Sequence, residues 1–201
     1  MTLAVEDLPG HPDFVRLSDI AGARIDLRYA TANNFAGRVL YAGIDCAWLR
    51  REAGDGLQQA VAWLAQHHST LQLVVLDALR PQRVQEAIWR DVAGTNAQHY
   101  FADPARGSIH SYGMAVDVTL IDRAGLELDM GSGFDEMSLT SHPALEAQHL
   151  AAGVVTPQQV QHRQWLRDAM SAGGFTGIPT EWWHFNGGDP NTVRQSLPRV
   201  G

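Results

Sequence analysis

One stretch, Gly107-Ser108-Ile109-His110-Ser111-Tyr112-Gly113-Met114-Ala115-Val116-Asp117, constrains this chain more than any other. It sets two ligand-forming side chains at the mouth of an apolar strand, Val118-Thr119-Leu120-Ile121. Imidazole and carboxylate are common zinc ligands in hydrolases that keep one coordination position open. Seven residues of straight strand span roughly 23 Å, whereas each ligand of one ion sits roughly 2 Å from it. If His110 and Asp117 share an ion, the chain must double back between them, and Gly113 can adopt the positive φ that such a bend calls for. The alternative is a plain turn into a core strand, with His110 solvated and Asp117 bonded to nearby backbone.

A second stretch, Glu181-Trp182-Trp183-His184-Phe185-Asn186, offers another histidine and a glutamate three residues before it. Its aromatic bulk can bury both in a partly dry wall; a buried aromatic strand with a capping glutamate is the other reading. Metal-assisted hydrolysis takes three protein ligands, an open position for water and a base beside that water. His110, Asp117 and His184 can supply the ligands of one zinc ion per chain, and Glu181 the base. Residues three apart on a regular strand face opposite sides, so a bulge or tight turn is expected at Trp182-Trp183. A His-Glu-x-x-His helix is absent from the sequence, which excludes a thermolysin-like architecture.

Taken together, Ser108, His110, Gly113, Ala115 and Asp117, with Glu181, Trp183 and His184 downstream, resemble the metallopeptidase group of lysostaphin-like enzymes, D-Ala-D-Ala peptidases and the hedgehog fold. Three further pieces resemble one branch of it, the D-alanyl-D-alanine dipeptidases associated with vancomycin resistance. They are Arg28-Tyr29-Ala30-Thr31 with Asn34-Phe35, Asp77-Ala78-Leu79-Arg80-Pro81, and Met130-Gly131-Ser132-Gly133-Phe134-Asp135. The matches run from about residue 26 to 186; Ala78-Leu79 departs from the Gly-Tyr of that branch. The resemblance implies zinc-dependent hydrolysis of D-Ala-D-Ala to two D-alanines, linked to peptidoglycan precursor metabolism or glycopeptide resistance. It implies a small D-dipeptide substrate and an Arg80 guanidinium aimed at the scissile carbonyl oxygen. Asp135 and Tyr29 would meet the substrate's ammonium end, and Ser108 would make a polar contact with the substrate. A carboxypeptidase or endopeptidase acting on longer peptidoglycan stems and a non-catalytic metal-bearing module are the other readings. The Tyr29, Arg80 and Asp135 stretches count against the first of these, and an intact Glu181 against the second.

The remaining sequence bounds the fold. At 201 residues and 45% hydrophobic, the chain suits one domain over 1–201 with a sizeable core, a lead-in at 1–23 and a tail at 187–201 being peripheral. A formal net charge of −7 argues against nucleic acid or an anionic membrane surface as the main partner. No partner protein is evident. A lone cysteine, Cys46, rules out an internal disulfide framework and suits a small apolar role. Residues 1–10 hold neither a basic nor an apolar leader segment, and no run reaches membrane-spanning length. The expectation is a cytoplasmic protein, or a periplasmic one had a leader been removed.

Alternation predicts a strand over 24–29 and a loop over 31–37. Helices are expected over 46–52 and 57–67, with Gly54-Asp55-Gly56 as a break between them. Trp48 and Trp63 are expected in the core. A buried strand over 71–76 delivers Asp77 and Arg80, and Pro81 opens a helix. Residues 94–107 read as an irregular connection, and 129–155 as a long loop partly covering the site. Thr156-Pro157 caps a helix that runs to Gly173-Gly174, and the Glu181 strand closes the core. Helices and strands mix without a βαβ repeat, so the expected class is α+β with a mainly antiparallel sheet flanked by helices.

Overall fold

Every side chain of Ala115–Ile121 is buried, which a strand achieves only with partners on both edges and cover on both faces. The computed structural model describes residues 2–201, so Met1, the first residue of the expected lead-in, lies outside the described residues. In chain order the elements are β1 (Thr2–Leu3), β2 (Phe14–Arg16), β3 (Arg24–Ile25), β4 (Trp48–Arg50), α1 (Arg51–His67), β5 (Gln72–Asp77) and α2 (Gln82–Val92). There follow β6 (Ala115–Ile121), α3 (Glu146–Ala151), α4 (Pro157–Ala172), β7 (Phe175–Gly177), β8 (His184–Gly187), α5 (Pro190–Ser196) and β9 (Arg199–Val200). The central sheet runs β3-β5-β6-β8-β7, antiparallel except for the β3–β5 pair. This is the expected α+β class.

Alternation sorts β6 into two faces. Val116, Val118 and Leu120 join Leu57, Ala60 and Leu64 of α1 and Leu166, Ala169 and Met170 of α4 in the main core. Asp117 belongs to the opposite face, where the site lies. On β5, Leu73 and Val75 join that same helix-side core, so strict alternation would also send Asp77 toward the helices. A bulge prevents it: Val75 pairs with Val118 but Asp77 with Asp117, two steps on one strand against one on the other. That extra residue turns Asp77 onto the face of Asp117.

Several expectations need correction. Residues 48–50 are strand, and α1 runs unbroken through Gly54 and Gly56. Those glycines are contact points: a Cβ on Gly56 would stand 2.5 Å from the Gly173 carbonyl oxygen at the end of α4, and one on Gly54 would stand 2.4 Å from a Val15 methyl. The strand expected over 24–29 stops at Ile25, and a 3-10 turn over Arg28–Ala30 carries Tyr29 into the interior. Arg28 ties this turn down by pairing with Asp26 and Glu127.

The lead-in and tail are not peripheral. β1 pairs in parallel with β9, and Val5, Leu8, Phe14, Trp48, Leu79 and Val200 form a second core, made of apolar residues too irregularly spaced to show a period. The 129–155 segment is likewise ordered by 3-10 turns and α3. Buried Arg163 of α4 pins it by donating to the carbonyls of Met130 and Thr140. Trp48 is buried as expected, whereas Trp63 is only half-buried. α4 begins with the expected cap, a reciprocal box between Thr156 and Gln159 with Pro157 at the first position.

Candidate metal and catalytic centre

His110 and Asp117 meet because the chain doubles back between them. A 3-10 turn over Ile109–Tyr112 ends at Gly113 with φ +69°, and β6 then returns. A side chain at Gly113 is excluded twice, by that backbone angle and by the Arg50 amide and the Phe14 ring, each 3.1 Å from where a Cβ would stand. His184 pairs with Asp117 across the β6–β8 ladder, which places both side chains on one face. Glu181 precedes β8, and the chain turns at Trp182-Trp183, as the three-residue spacing required. Trp182 donates to Ser132 Oγ at 3.0 Å, while Trp183 lines the cavity that Glu181 and His184 also line.

The three inner atoms form a near-equilateral triangle. His110 Nε2 to His184 Nδ1 is 3.1 Å, His184 Nδ1 to Asp117 Oδ1 is 3.0 Å, and His110 Nε2 to Asp117 Oδ1 is 3.3 Å. Donors about 2 Å from a tetrahedral ion lie about 3.3 Å apart, so the spacing suits one small cation. The outer nitrogens decide the protonation. His110 Nδ1 lies 2.7 Å from the Ala78 carbonyl and His184 Nε2 lies 3.0 Å from Asn186 Oδ1; both outer nitrogens donate there. In neutral rings that leaves Nε2 of His110 and Nδ1 of His184 as lone pairs, converging with a carboxylate oxygen. Three acceptors turned on one point repel unless a cation lies between them, and among the described residues this His110–Asp117–His184 group is the one with metal-ligand spacing. The departure at Ala78 does not disturb this, because Ala78 contributes a backbone carbonyl. Without a cation there, protons on the inner nitrogens would take its place: the His110 charge, then hydrogen bonds from both rings, hold the Asp117 carboxyl well below the usual range against the cost of burial.

Behind the triangle sits Asp77, with no exposed surface. Its Oδ2 accepts from Arg80 Nε and Nη2 at 3.0 and 2.7 Å, and its other oxygen accepts from the Tyr41 hydroxyl. Arg80 also donates through Nη1 to Gln85 Oε1 at 3.1 Å and through Nη2 to Asp117 Oδ2 at 3.5 Å. An arginine carries five N–H groups, so one on Nη1 stays uncommitted. Burial opposes the Arg80 charge, but Tyr29, Asp77, Tyr41 and Asp117 more than offset it and keep the guanidinium protonated.

Tyr29 lies under Arg80, whose guanidinium carbon is 4.9 Å from its ring centre. Its hydroxyl donates to Asp135 Oδ1 at 3.2 Å, and the Phe35 amide approaches Oδ2 at 3.4 Å. Among the described residues Asp135 is the one non-glycine with positive φ, +59°, a conformation that aspartate tolerates and that marks functional positions. Burial, then Asp117, push its carboxyl up to about 7. Glu181 is pushed up to about 8, by burial first. Ser108 is buried beside the cavity.

All eight residues singled out in the sequence, Tyr29, Arg80, Ser108, His110, Asp117, Asp135, Glu181 and His184, line one cavity of about 260 Å³. That is near the lower end of the roughly 300–1,000 Å³ usual for small-molecule sites. From the 129–155 segment only Asp135 and Met137 reach it, so the cover is narrower than expected. Sequence reasoning missed Asn186, Gln85 and the supporting role of Asp77. Asn186 carried a signal, since it is two residues from His184 on a strand and so shares its face. The other two depend on the bulge and on the Arg80 side-chain path. Cys46 is buried near Tyr29, Tyr41 and Val84, with burial pushing its thiol up, as suits an inert apolar role.

The chain is also similar to known proteins over most of its length. The Peptidase M15 family model, described as D-ala-D-ala dipeptidase, matches residues 12–200. The chain is similar to proteins named D-alanyl-D-alanine dipeptidase from three organisms. That of Escherichia coli K12 is 41% identical over 177 residues, 86% of this chain and 85% of the relative. That of Streptomyces coelicolor is 31% identical, covering 83% and 86%, and that of a Synechocystis strain 30% identical, covering 74% and 72%.

Proposed function

Since the chain belongs to the Peptidase M15 family of D-Ala-D-Ala dipeptidases, we propose that it hydrolyses D-Ala-D-Ala, the terminal unit of peptidoglycan precursors, to two D-alanines with one zinc ion held by His110, Asp117 and His184. The observation that carries this is the triangle of inward acceptors with sides of 3.0–3.3 Å, both imidazoles being fixed from outside by Ala78 and Asn186. Zinc, when bound, would polarise the scissile carbonyl and acidify a water. Glu181 takes that water's proton as it attacks and returns it to the leaving amine; burial raises its carboxyl, and the charge of a bound cation would favour the ionised form that a base requires. The spare Nη1 hydrogen of Arg80 meets the carbonyl oxygen as negative charge develops on it, and Asp77 and Gln85 fix the direction of that donor.

Asp135, held by Tyr29, receives the substrate ammonium, which supplies the counter-charge its buried position lacks. Ser108 offers a hydroxyl to the bound dipeptide. The whole chain acts as one domain, because elements from both termini support the site. No helix of the described residues is long and apolar enough to cross a membrane, and a cytoplasmic setting is part of the proposal. The test is metal analysis beside turnover. One zinc per chain is expected, with D-alanine released from D-Ala-D-Ala; His110→Ala, Asp117→Ala or His184→Ala should lower metal content and activity together. Full zinc occupancy in Asp117→Ala would remove Asp117 from the ligand set. Equal turnover of a pentapeptide stem would move the chain to the carboxypeptidases.

A further inference from the structure

The proposed chemistry leaves two cavity-lining cations unused, Arg106 and Arg194. Arg194, on α5, donates through Nε to the Gly107 carbonyl at 3.0 Å and through Nη1 to the Pro190 carbonyl at 3.3 Å. Its Nη2 has no partner among the described residues. Neither Arg106 nor Arg194 forms an ion pair there, in a chain that carries seven more acidic than basic groups. The acid that bears on Arg194, Asp189, is occupied as the cap of α5, accepting from Thr192 through both N and Oγ1. Burial first, and then the Arg106 charge, hold the Arg194 guanidinium below its ordinary pKa, so the pair sits under mutual repulsion that an anion would relieve.

Arg80 does not meet that need. Four of its five N–H groups are committed, and Asp77 and Asp117 against it would repel a carboxylate. The groups bearing on Arg194 are Arg106, Tyr112, Arg199 and Asp189, whereas those bearing on Asp135 are Asp117, Arg80, Phe35 and Asp77. The cavity thus has an acidic district and a separate basic one, and the basic one adjoins Ser108 through Gly107.

We propose that Arg194, with Arg106 beside it, binds the free α-carboxylate of the substrate and makes the site selective for peptides that end there. This rests on the dipeptidase reading, in which Asp135 takes the opposite, ammonium end. A zwitterion laid between the two districts satisfies both. A carboxylate anchor binds ground state and transition state alike, so its loss raises KM with little change in kcat.

The test compares D-Ala-D-Ala with D-Ala-D-alaninamide, which has the same scissile bond and no carboxylate, on the zinc-loaded protein. Wild type should prefer the acid. Arg194→Met should raise KM for the acid about tenfold to a hundredfold, the range for losing a charge-assisted hydrogen bond, and affect the amide much less, so that the preference collapses. Arg194 also braces the loop before Ser108; were that its whole role, both substrates would suffer equally, and that result overturns the assignment. Should Arg194→Met not fold, the exposed Arg106→Gln carries the same comparison, with an expected fall of about threefold in the acid-to-amide ratio. An unchanged ratio there, or a wild type indifferent to the carboxylate, also overturns it. A zinc-loaded wild type that cleaves neither compound instead removes the dipeptidase reading itself.

Discussion

Glu181 and Asp135 are the two acids whose surroundings work against their charge, with carboxyls raised to about 8 and about 7. Glu181→Gln keeps the volume and removes the proton acceptor, so zinc content should stay and turnover should fall by roughly 10²–10⁴. Near-normal kcat with zinc retained would assign the base elsewhere. The same raised values bear on stability. Both carboxyls hold their protons more tightly in the folded chain than at the value of about 4 expected when unfolded. Their contribution to stability is therefore full below about pH 4 and is lost as pH rises through 7 and 8. Asp117, held low, acts in the opposite sense and only at the acid end. Melting of the metal-free protein should consequently weaken from pH 5 to 8.5, and Glu181→Gln with Asp135→Asn should flatten that slope. A melting temperature independent of pH in wild type would contradict the burial assigned to these acids.

At the scale of elements, what the sequence made legible is what periodicity and capping encode. Strand β6 contains the expected apolar run 118–121 and starts three residues before it, β5 arrives where its apolar run predicts, and α4 starts at its cap. What stayed hidden depends on contacts between distant segments. The bulge that re-aims Asp77 leaves no composition signal, and Ala78 serves His110 through a carbonyl that any residue would offer. The glycines of α1 read as punctuation because local propensity disfavours them in a helix. Their use shows only against Gly173 and Val15. Gly56→Ala separates the two influences. Helix propensity alone would stabilise by about 1 kcal/mol. Forcing a methyl to 2.5 Å from the backbone carbonyl at the end of α4 should outweigh it, with a net loss of about 1–3 kcal/mol. In a chain of this size that is a drop of roughly 2–12 °C in Tm. A rise in Tm would show that α1 and α4 can separate at that point without loss.

Across the whole molecule, elements far apart in sequence close one small cavity: the turn of Tyr29, the end of β5, the loop and strand of the 107–117 motif, the segment of Asp135, and the β8–α5 unit near the C-terminus. The enclosure, more than any single residue, sets which peptides fit. The proposed ammonium position at Asp135 is backed by Tyr29 and the Phe35 amide, with Phe134 and Trp183 packed edge to face, ring centres 5.6 Å apart. Free D-Ala-D-Ala should therefore be cleaved, while the same dipeptide acetylated at its amine should not. Acetylation removes the positive charge that Asp135 needs and adds bulk where the wall is already built. Leaving a buried carboxylate without its partner costs on the order of 3–5 kcal/mol, several hundred-fold or more in kcat/KM. L-Ala-L-Ala should fail for a different reason. With both ends and the carbonyl fixed, inverting the two centres drives the methyl groups into the walls. The measurement is kcat/KM for the three compounds on one zinc-loaded preparation. Comparable values for the acetylated and free D-dipeptides would open the ammonium end to longer chains and favour a carboxypeptidase, with the same His110–Asp117–His184 metal centre serving either reaction.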